Sequence, residues 1–336
     1  MSSSLAVLIS DIHYNITTLP VADAALRQAV AKANELSVPL IIAGDLHDTK
    51  ANLRGECIKA MLDTLSKAQE PVFILRGNHD SINERSKEHS LEFLRNLTLV
   101  SIVSHPEQTG GLCLIPYEHD PEALCAYLKT IPAGSTLVMH QGINGSSAGE
   151  YIQDKSAINK EDVSDFRVIS GHYHTRQDIK IGRPRKGAVG LWSYIGNPYT
   201  LNFGEANDPK KGFQILMDDG LLEFVPTNLR KHVVIEIEAH ALSYAETNMQ
   251  INKDDIVLVK LKGSAKELCT LTKKNVAKNL NLPADFRLDL IPTDISMTRV
   301  EITQQTQPQL LDQIIDSIAS ASNDQKERLK TLWKDL

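Results

Sequence analysis

Residues 5–13 read Leu5-Ala6-Val7-Leu8-Ile9-Ser10-Asp11-Ile12-His13, an apolar run that stops at a carboxylate and an imidazole two positions apart. A run this short and this rich in aliphatic side chains is the pattern of a strand buried on both faces. The pattern then recurs. Residues 39–43 lead into Gly44-Asp45-Leu46-His47-Asp48, and residues 72–75 into Gly77-Asn78-His79-Asp80. Residues 137–139 lead into His140-Gln141-Gly142, and residues 168–170 into Gly171-His172-Tyr173-His174. Between the runs, Leu26, Val30, Ala33 and Leu36 repeat at helical spacing over 22–36, and Ile58, Met61, Leu62 and Leu65 do so over 55–68. The alternation predicts an α/β domain whose sheet delivers loops at the C-terminal ends of its strands.

A chain of 336 residues exceeds what one core usually holds, so a large domain with a smaller appendage is expected. After Ser193 the pattern changes: residues 212–217 and 220–225 read as antiparallel strands joined at Asp218-Asp219-Gly220, and 233–237 alternates apolar with polar. From Asp255 the order is strand (256–261), helix (265–279), strand (287–291), a small α+β unit. The expected division is 1–238, 239–303 and a helical tail, 304–336. In the tail, Pro308 starts a helix carrying Leu310, Leu311, Ile314, Ile315 and Ile318, and Asn323 or Asp324 caps a second carrying Leu329, Leu332, Trp333 and Leu336. Such helices either pack on their own domain or dock on a partner.

The net charge of -6 gives the whole molecule no field that would draw it to nucleic acid or an anionic membrane, so any DNA contact has to be local or shared. Basic residues do cluster in two places, at Lys180, Arg183, Arg185 and Lys186 and at Arg230 and Lys231, each of which taken alone reads as a solvated face or hairpin. Cys57, Cys113, Cys125 and Cys269 form no CxxC pair, which fits reduced thiols in a cytosolic protein. No basic segment precedes the first apolar run, and no stretch approaches the ~20 apolar residues that span a bilayer.

The strand-end residues combine carboxylates, an amide oxygen and imidazoles, the mixture that suits Mn²⁺ or Fe²⁺, with Zn²⁺ also possible. Asp11 with His13, and His172 with His174, are i, i+2 pairs that point to one side. Gly44 leaves room at Asp45, whose carboxylate could bridge two ions ~3.5 to 4 Å apart. His79 is not needed as a ligand and suits a general acid. Asp48 is either a loop cap or the group that keeps that imidazole protonated. His89, His105, His119, His232 and His240 lack such context and read as surface or structural.

The series Asp11-x-His13, Gly44-Asp45-x-x-Asp48, Gly77-Asn78-His79-Asp80, His140 and Gly171-His172-x-His174 resembles the calcineurin-like metallophosphoesterase superfamily over roughly residues 1–200. The resemblance implies a four-layer α-β-β-α sandwich and hydrolysis of phosphoesters with two divalent cations. It also implies that Asp11, His13, Asp45 and His174 hold one cation, and Asp45, Asn78, His140 and His172 the other, with Asp45 as the bridge.

A second stretch is more discriminating. Tyr194-Ile195-Gly196-Asn197-Pro198, then Phe203-Gly204-Glu205, then Lys211-Gly212-Phe213 resembles the nuclease subunits of the Mre11/SbcD type. Thr49-Lys50 stands where phosphoprotein phosphatases carry Arg-Gly. Asn197 replaces the usual Ser, and Asp48 stands where archaeal and eukaryotic members carry His, which places the likeness nearer the bacterial or phage branch; 336 residues is compact for that family. By this likeness the protein would be a Mn²⁺-dependent DNA exo- and endonuclease subunit acting in end processing, repair or recombination in the cytoplasm of a bacterial or phage-infected cell. Residues 239–303 would be a small α+β capping domain. Leu329, Leu332, Trp333 and Leu336 would bind a Rad50/SbcC-like ATPase, as a homodimer within a heterotetramer. Arg183, Arg185, Lys186, Lys210 and Lys211 would border the DNA, the partner supplying further counter-charge. A small-molecule phosphodiesterase or phosphatase is the alternative. A non-catalytic scaffold is disfavoured by the complete ligand set.

Overall fold

Strand side chains alternate between two faces, and here both faces are apolar. The computed structural model describes residues 3–294 apart from 51, 84, 147–153, 155, 182–189, 207, 244–250 and 283–284. Arg183, Arg185, Lys186 and the whole tail 304–336, with Leu329, Leu332, Trp333 and Leu336, lie outside the described residues. The chain begins β1 (Ser4–Ile9), α1 (Leu19–Leu36), β2 (Leu40–Ile42), α2 (Gly55–Leu65), β3 (Val72–Leu75) and β4 (Val100–Val103). It continues β5 (Glu107–Thr109), β6 (Leu112–Ile115), α3 (Pro121–Leu128), β7 (Thr136–His140), β8 (Arg167–Gly171), β9 (Gln177–Lys180) and β10 (Leu191–Tyr194). It then runs β11 (Gly212–Met217), β12 (Leu222–Pro226), β13 (His232–Glu238), β14 (Ile256–Gly263), α4 (Ala265–Leu268), α5 (Lys273–Leu280) and β15 (Arg287–Pro292).

Two six-stranded sheets form, ordered β12-β11-β1-β2-β3-β4 and β5-β6-β7-β8-β10-β9. On the first, Val7, Ile9, Leu40, Ile42, Val72 and Ile74 pack against Ala25, Leu26 and Ala29 of α1 and Met61 and Leu65 of α2. The residues between them, Leu8, Ile41 and Leu75, meet Leu114, Val138 and Ile169 of the second sheet. That sheet turns Ile115, Leu137, Met139 and Val168 to Leu124 and Leu128 of α3. The result is the four-layer α-β-β-α sandwich, and burying each aliphatic side chain stabilises it by roughly 2 kcal/mol. The parallel pairs β1-β2, β2-β3, β6-β7 and β7-β8 bring the C-terminal ends of β1, β2 and β3 to one end of their sheet, and those of β7 and β8 to one end of theirs.

Local signals shift three boundaries. Pro20, well suited to a first turn, lets α1 start at Leu19, ahead of the expected residue 22. The single helix expected over 265–279 is two. Ser264 caps α4 in a capping box with Glu267, and Thr272 caps α5 by accepting from the Asn275 N–H at 3.2 Å, so the second cap interrupts the helix. The strand expected at 233–237 is present as β13, but it runs parallel to β14 in a third sheet, β13-β14-β15. A division after residue 238 therefore cuts between β13 and its neighbour, because alternation tells that a strand exists and not which sheet takes it. Among the described residues no helix is long and apolar enough to cross a membrane.

His232 ties this small sheet to the sandwich. Its N–H donates to Thr200 Oγ1 at 2.6 Å, its Nδ1 lies 3.0 Å from the same oxygen, and its ring meets Phe203 edge-on. Burial, reinforced by the Arg230 charge, lowers its pKa below that of an ordinary imidazole. The folded state thus binds fewer protons than the unfolded one. Its contribution is complete above about pH 6.5 and is lost as pH falls through the depressed folded value. Urea denaturation followed from about pH 7.5 to about pH 5 is expected to show a falling midpoint, and His232→Gln to flatten part of that limb. An identical acid limb in the variant would contradict this.

Candidate metal centre

Because the parallel strands end on common edges, the segments after β1, β2, β3, β7 and β8 converge. The turns are tight: Asp11 (φ 53), His13 (φ 52), Asp45 (φ 51) and His172 (φ 87) all adopt left-handed backbone. Such a conformation costs a non-glycine residue of order 1–3 kcal/mol and persists where the surroundings over-determine it. Here the loops brace one another, with the Asp11 N–H donating to Gly44 O at 3.1 Å and the His13 N–H to Asp45 O at 3.0 Å. Glycine is required at two close approaches. A Cβ at Gly44, itself at φ 90, would strike the His140 imidazole, and one at Gly77 would strike the Asp45 carboxylate.

All the expected ligands meet. On one side, His13 Nε2 and His174 Nε2 are 3.1 Å apart, with Asp11 Oδ1 3.9 Å from the latter. On the other, Asn78 Oδ1 lies 3.0 Å from His140 Nε2 and 2.9 Å from His172 Nδ1. Asp45 stands between them. Its Oδ1 accepts the His79 N–H at 2.8 Å, while its Oδ2 lies 3.3 Å from His140 Nε2 and 3.8 Å from His13 Nε2. Three overlapping trios have ligand atoms within 4.8 Å of one another: Asp11, His13 and His174; Asp11, Asp45 and His140; His13, Asp48 and His79.

Among the expected ligands Asp11 is 0% and Asp45 2% exposed, and among the described residues neither pairs with a lysine or arginine. Burial raises the Asp45 pKa, but the His140, His13 and His79 charges outweigh it and hold the carboxyl far below the usual range. Burial likewise opposes protonated His140, yet Asp45 brings it up to about 9. A buried cluster that calls for positive charge, and whose donors are carboxylate, amide oxygen and imidazole, fits divalent cations. Binding them would displace the proton from His140, since a ligating imidazole is neutral.

The outer ring nitrogens are held as well. His140 Nδ1 lies 2.7 Å from Ala43 O, His172 Nε2 3.0 Å from Asp154 Oδ2, His174 Nδ1 2.8 Å from Glu205 Oε1, and His13 Nδ1 3.2 Å from Asp48 Oδ1. Each contact leaves the opposite nitrogen facing the cluster.

Two expectations need correction. Asp48 does reach His79, but by its backbone: His79 Nδ1 lies 2.6 Å from Asp48 O, whereas the carboxylate faces His13 and accepts from Asn15 Nδ2 at 2.9 Å. Lys211 does not border a surface cleft. It is buried, its Nζ bound to Asn197 Oδ1, to Glu205 Oε2 at 3.0 Å, to Asp208 Oδ2 at 3.2 Å and to His174 O at 3.2 Å. Only Lys210 of that pair is exposed.

Three residues of the centre escape a reading of the sequence. Asp80 is buried, accepts the Gly77 N–H at 2.8 Å and the His47 N–H at 2.9 Å, and is pushed up to about 6 by burial and then by the Asp45 charge. Glu205 is kept at about 2: burial opposes its charge, and His174 and Lys211 overcome that. Both close short motifs, Gly77-Asn78-His79-Asp80 and Phe203-Gly204-Glu205, which could have marked them. Asp154, beside His172, follows no apolar run, so nothing local marks it.

Two known proteins and one family model resemble this chain. Exonuclease subunit 1 of Enterobacteria phage T4 is 25% identical over 221 residues, covering 62% of this chain and 61% of that protein. The chain thus spans less than two thirds of that relative. Phosphopantetheinyl hydrolase (PptH) from Mycobacterium tuberculosis superposes at a TM-score of 0.33 and 14% identity, over 58% of this chain and 89% of that one, too loosely to carry weight. The family model for calcineurin-like phosphoesterases matches residues 6–180, just over half of the chain. With the strand-end residues of that region gathered at one acidic centre, this chain belongs to the calcineurin-like phosphoesterase family.

Proposed function

We propose that the protein is a Mn²⁺-dependent nuclease subunit that hydrolyses DNA phosphodiester bonds with two cations. The observation that carries this reading is the placement of Asp45 Oδ2 between two ligand groups, His13 with His174 and Asp11 on one side, and His140 with Asn78 and His172 on the other. The cations would supply positive charge at the phosphoryl group and a water acidic enough to attack it. The protein's own residues do the rest. Asp11, His13, Asp45, Asn78, His140, His172 and His174 would hold the cations. His79, held through Nδ1 by the Asp48 carbonyl, presents its other nitrogen to deliver a proton to the leaving oxygen.

DNA as substrate is supported by the likeness to a phage exonuclease subunit and by the motif from Tyr194 to Phe213. With a net charge of -6, the chain would rely on Arg183, Arg185, Lys186 and Lys210 for local phosphate contacts. A Rad50/SbcC-like ATPase, bound through Leu329, Leu332, Trp333 and Leu336, would contribute the remaining counter-charge within a heterotetramer built on a homodimer. In this reading the capping domain begins at β13.

Purified protein with Mn²⁺ is expected to cleave linear duplex DNA and bis-p-nitrophenyl phosphate. His79→Ala should keep its metal and lose about 10²–10⁴-fold in kcat, whereas Asp45→Ala should lose both ions and all activity. Equal manganese content in Asp45→Ala and the parent would refute the bridge. Ester hydrolysis without DNA cleavage, even beside an ATPase partner, would favour a small-molecule phosphodiesterase. Separately, replacing Arg183 and Arg185 by Ala should weaken duplex binding and lower the slope of log K against log salt by about two, one per phosphate contact. An unchanged slope would remove these residues from the interface.

A further inference from the structure

His174 is the least enclosed of the four imidazoles in the proposed ligand set. Its side chain is 30% exposed, against 3% for His13, 0% for His140 and 15% for His172. Packing alone therefore does not set its ring, and a polar frame surrounds it on the outer side. Glu205 Oε1 takes the Nδ1 side of the ring at 2.8 Å. The other oxygen, Oε2, is saturated by Asn197 Nδ2 at 2.7 Å, Lys211 Nζ at 3.0 Å and the Leu201 N–H at 3.2 Å. The same partners reach the His174 main chain: the Asn197 N–H donates to His174 O at 3.1 Å and Lys211 Nζ does so at 3.2 Å. One network thus grips both ends of one residue. Asn197 closes it by donating to Glu205 and accepting from Lys211, opposite roles that its amide fills with separate atoms.

We propose that Glu205 is the positioning residue for His174, fixing Nδ1 as the protonated nitrogen and presenting Nε2 to the metal, with Asn197 and Lys211 clamping Glu205. This rests on the two-cation reading above. It also gives Asn197, Glu205 and Lys211 a shared physical role as a brace behind one ligand. A carboxylate on the outer nitrogen orients the ring and raises its basicity toward a cation, and removal of such a partner typically costs 10–100-fold in metal affinity.

Calorimetric titration of the full chain with Mn²⁺ tests this, alongside thermal melts and activity measured against Mn²⁺ concentration. Glu205→Ala should weaken one of the two Mn²⁺ sites by about 10–100-fold, leave the other near its parent affinity, and regain much of its kcat at high Mn²⁺. Glu205→Gln should be intermediate, because its amide oxygen still accepts from Nδ1 while the charge is gone. Lys211→Met should show a smaller loss in the same site. Should Glu205→Ala not fold, Glu205→Gln and Asn197→Ala provide the same readout. A merely structural Glu205 would lower the melting temperature and leave both Mn²⁺ affinities unchanged, which overturns the proposal. If the parent itself binds no Mn²⁺, the metal reading fails first. If the parent binds two ions and the Glu205 variants match it, only the positioning role fails.

Discussion

Asp11 and Asp45 lie side by side at the end of a double sheet, out of contact with water, and among the described residues no lysine or arginine answers them. An isolated charge in such a place is expensive, and only close, well-aimed positive partners make it tenable. Here the Asp45 charge brings the His140 imidazole up to about 9, and the imidazole charges beside it hold the Asp45 carboxyl far below its usual range. Much of the architecture follows from holding this charge. The left-handed turns at Asp11, His13, Asp45 and His172 and the missing Cβ atoms at Gly44 and Gly77 let groups crowd that a regular strand end would keep apart.

The sandwich beneath makes the crowding possible. Parallel strands deliver their C-terminal loops to one edge, and two such sheets stacked through Leu8, Ile41, Val138 and Ile169 set the β1, β2 and β3 loops opposite those of β7 and β8. Apolar burial on both faces of each sheet holds the loops in register, so the core offsets the cost of strained turns. The donors of the centre come from the ends of β1, β2, β3, β7 and β8, and the outer nitrogens of His140, His172 and His174 are each tied to an acceptor.

Most of the residues of the proposed site are legible in the residue order. A short aliphatic run followed at once by Asp-x-His, Gly-Asp, Gly-Asn-His or Gly-His-x-His places a donor at a strand end by local rules alone. The orientation of those donors was not. Asp48 follows Asp45 by three residues, yet its carboxylate turns to His13 and its carbonyl to His79, because Asn15 and His13 from another loop compete for it. Lys211 reads as half of a basic pair and is instead the buried centre of a brace around Glu205.

Period, spacing and residue type within short segments were enough to establish the α/β class, the seven residues of the proposed ligand set and the family likeness. Packing had the final say on the rest: that β13 joins the small sheet, that Asp154 stands behind His172, and that Glu205, Asn197 and Lys211 close on His174. The difference is one of range. A strand's existence is written in neighbouring side chains, whereas a hydrogen-bond partner is chosen among groups tens or hundreds of residues away that meet only after the chain has packed.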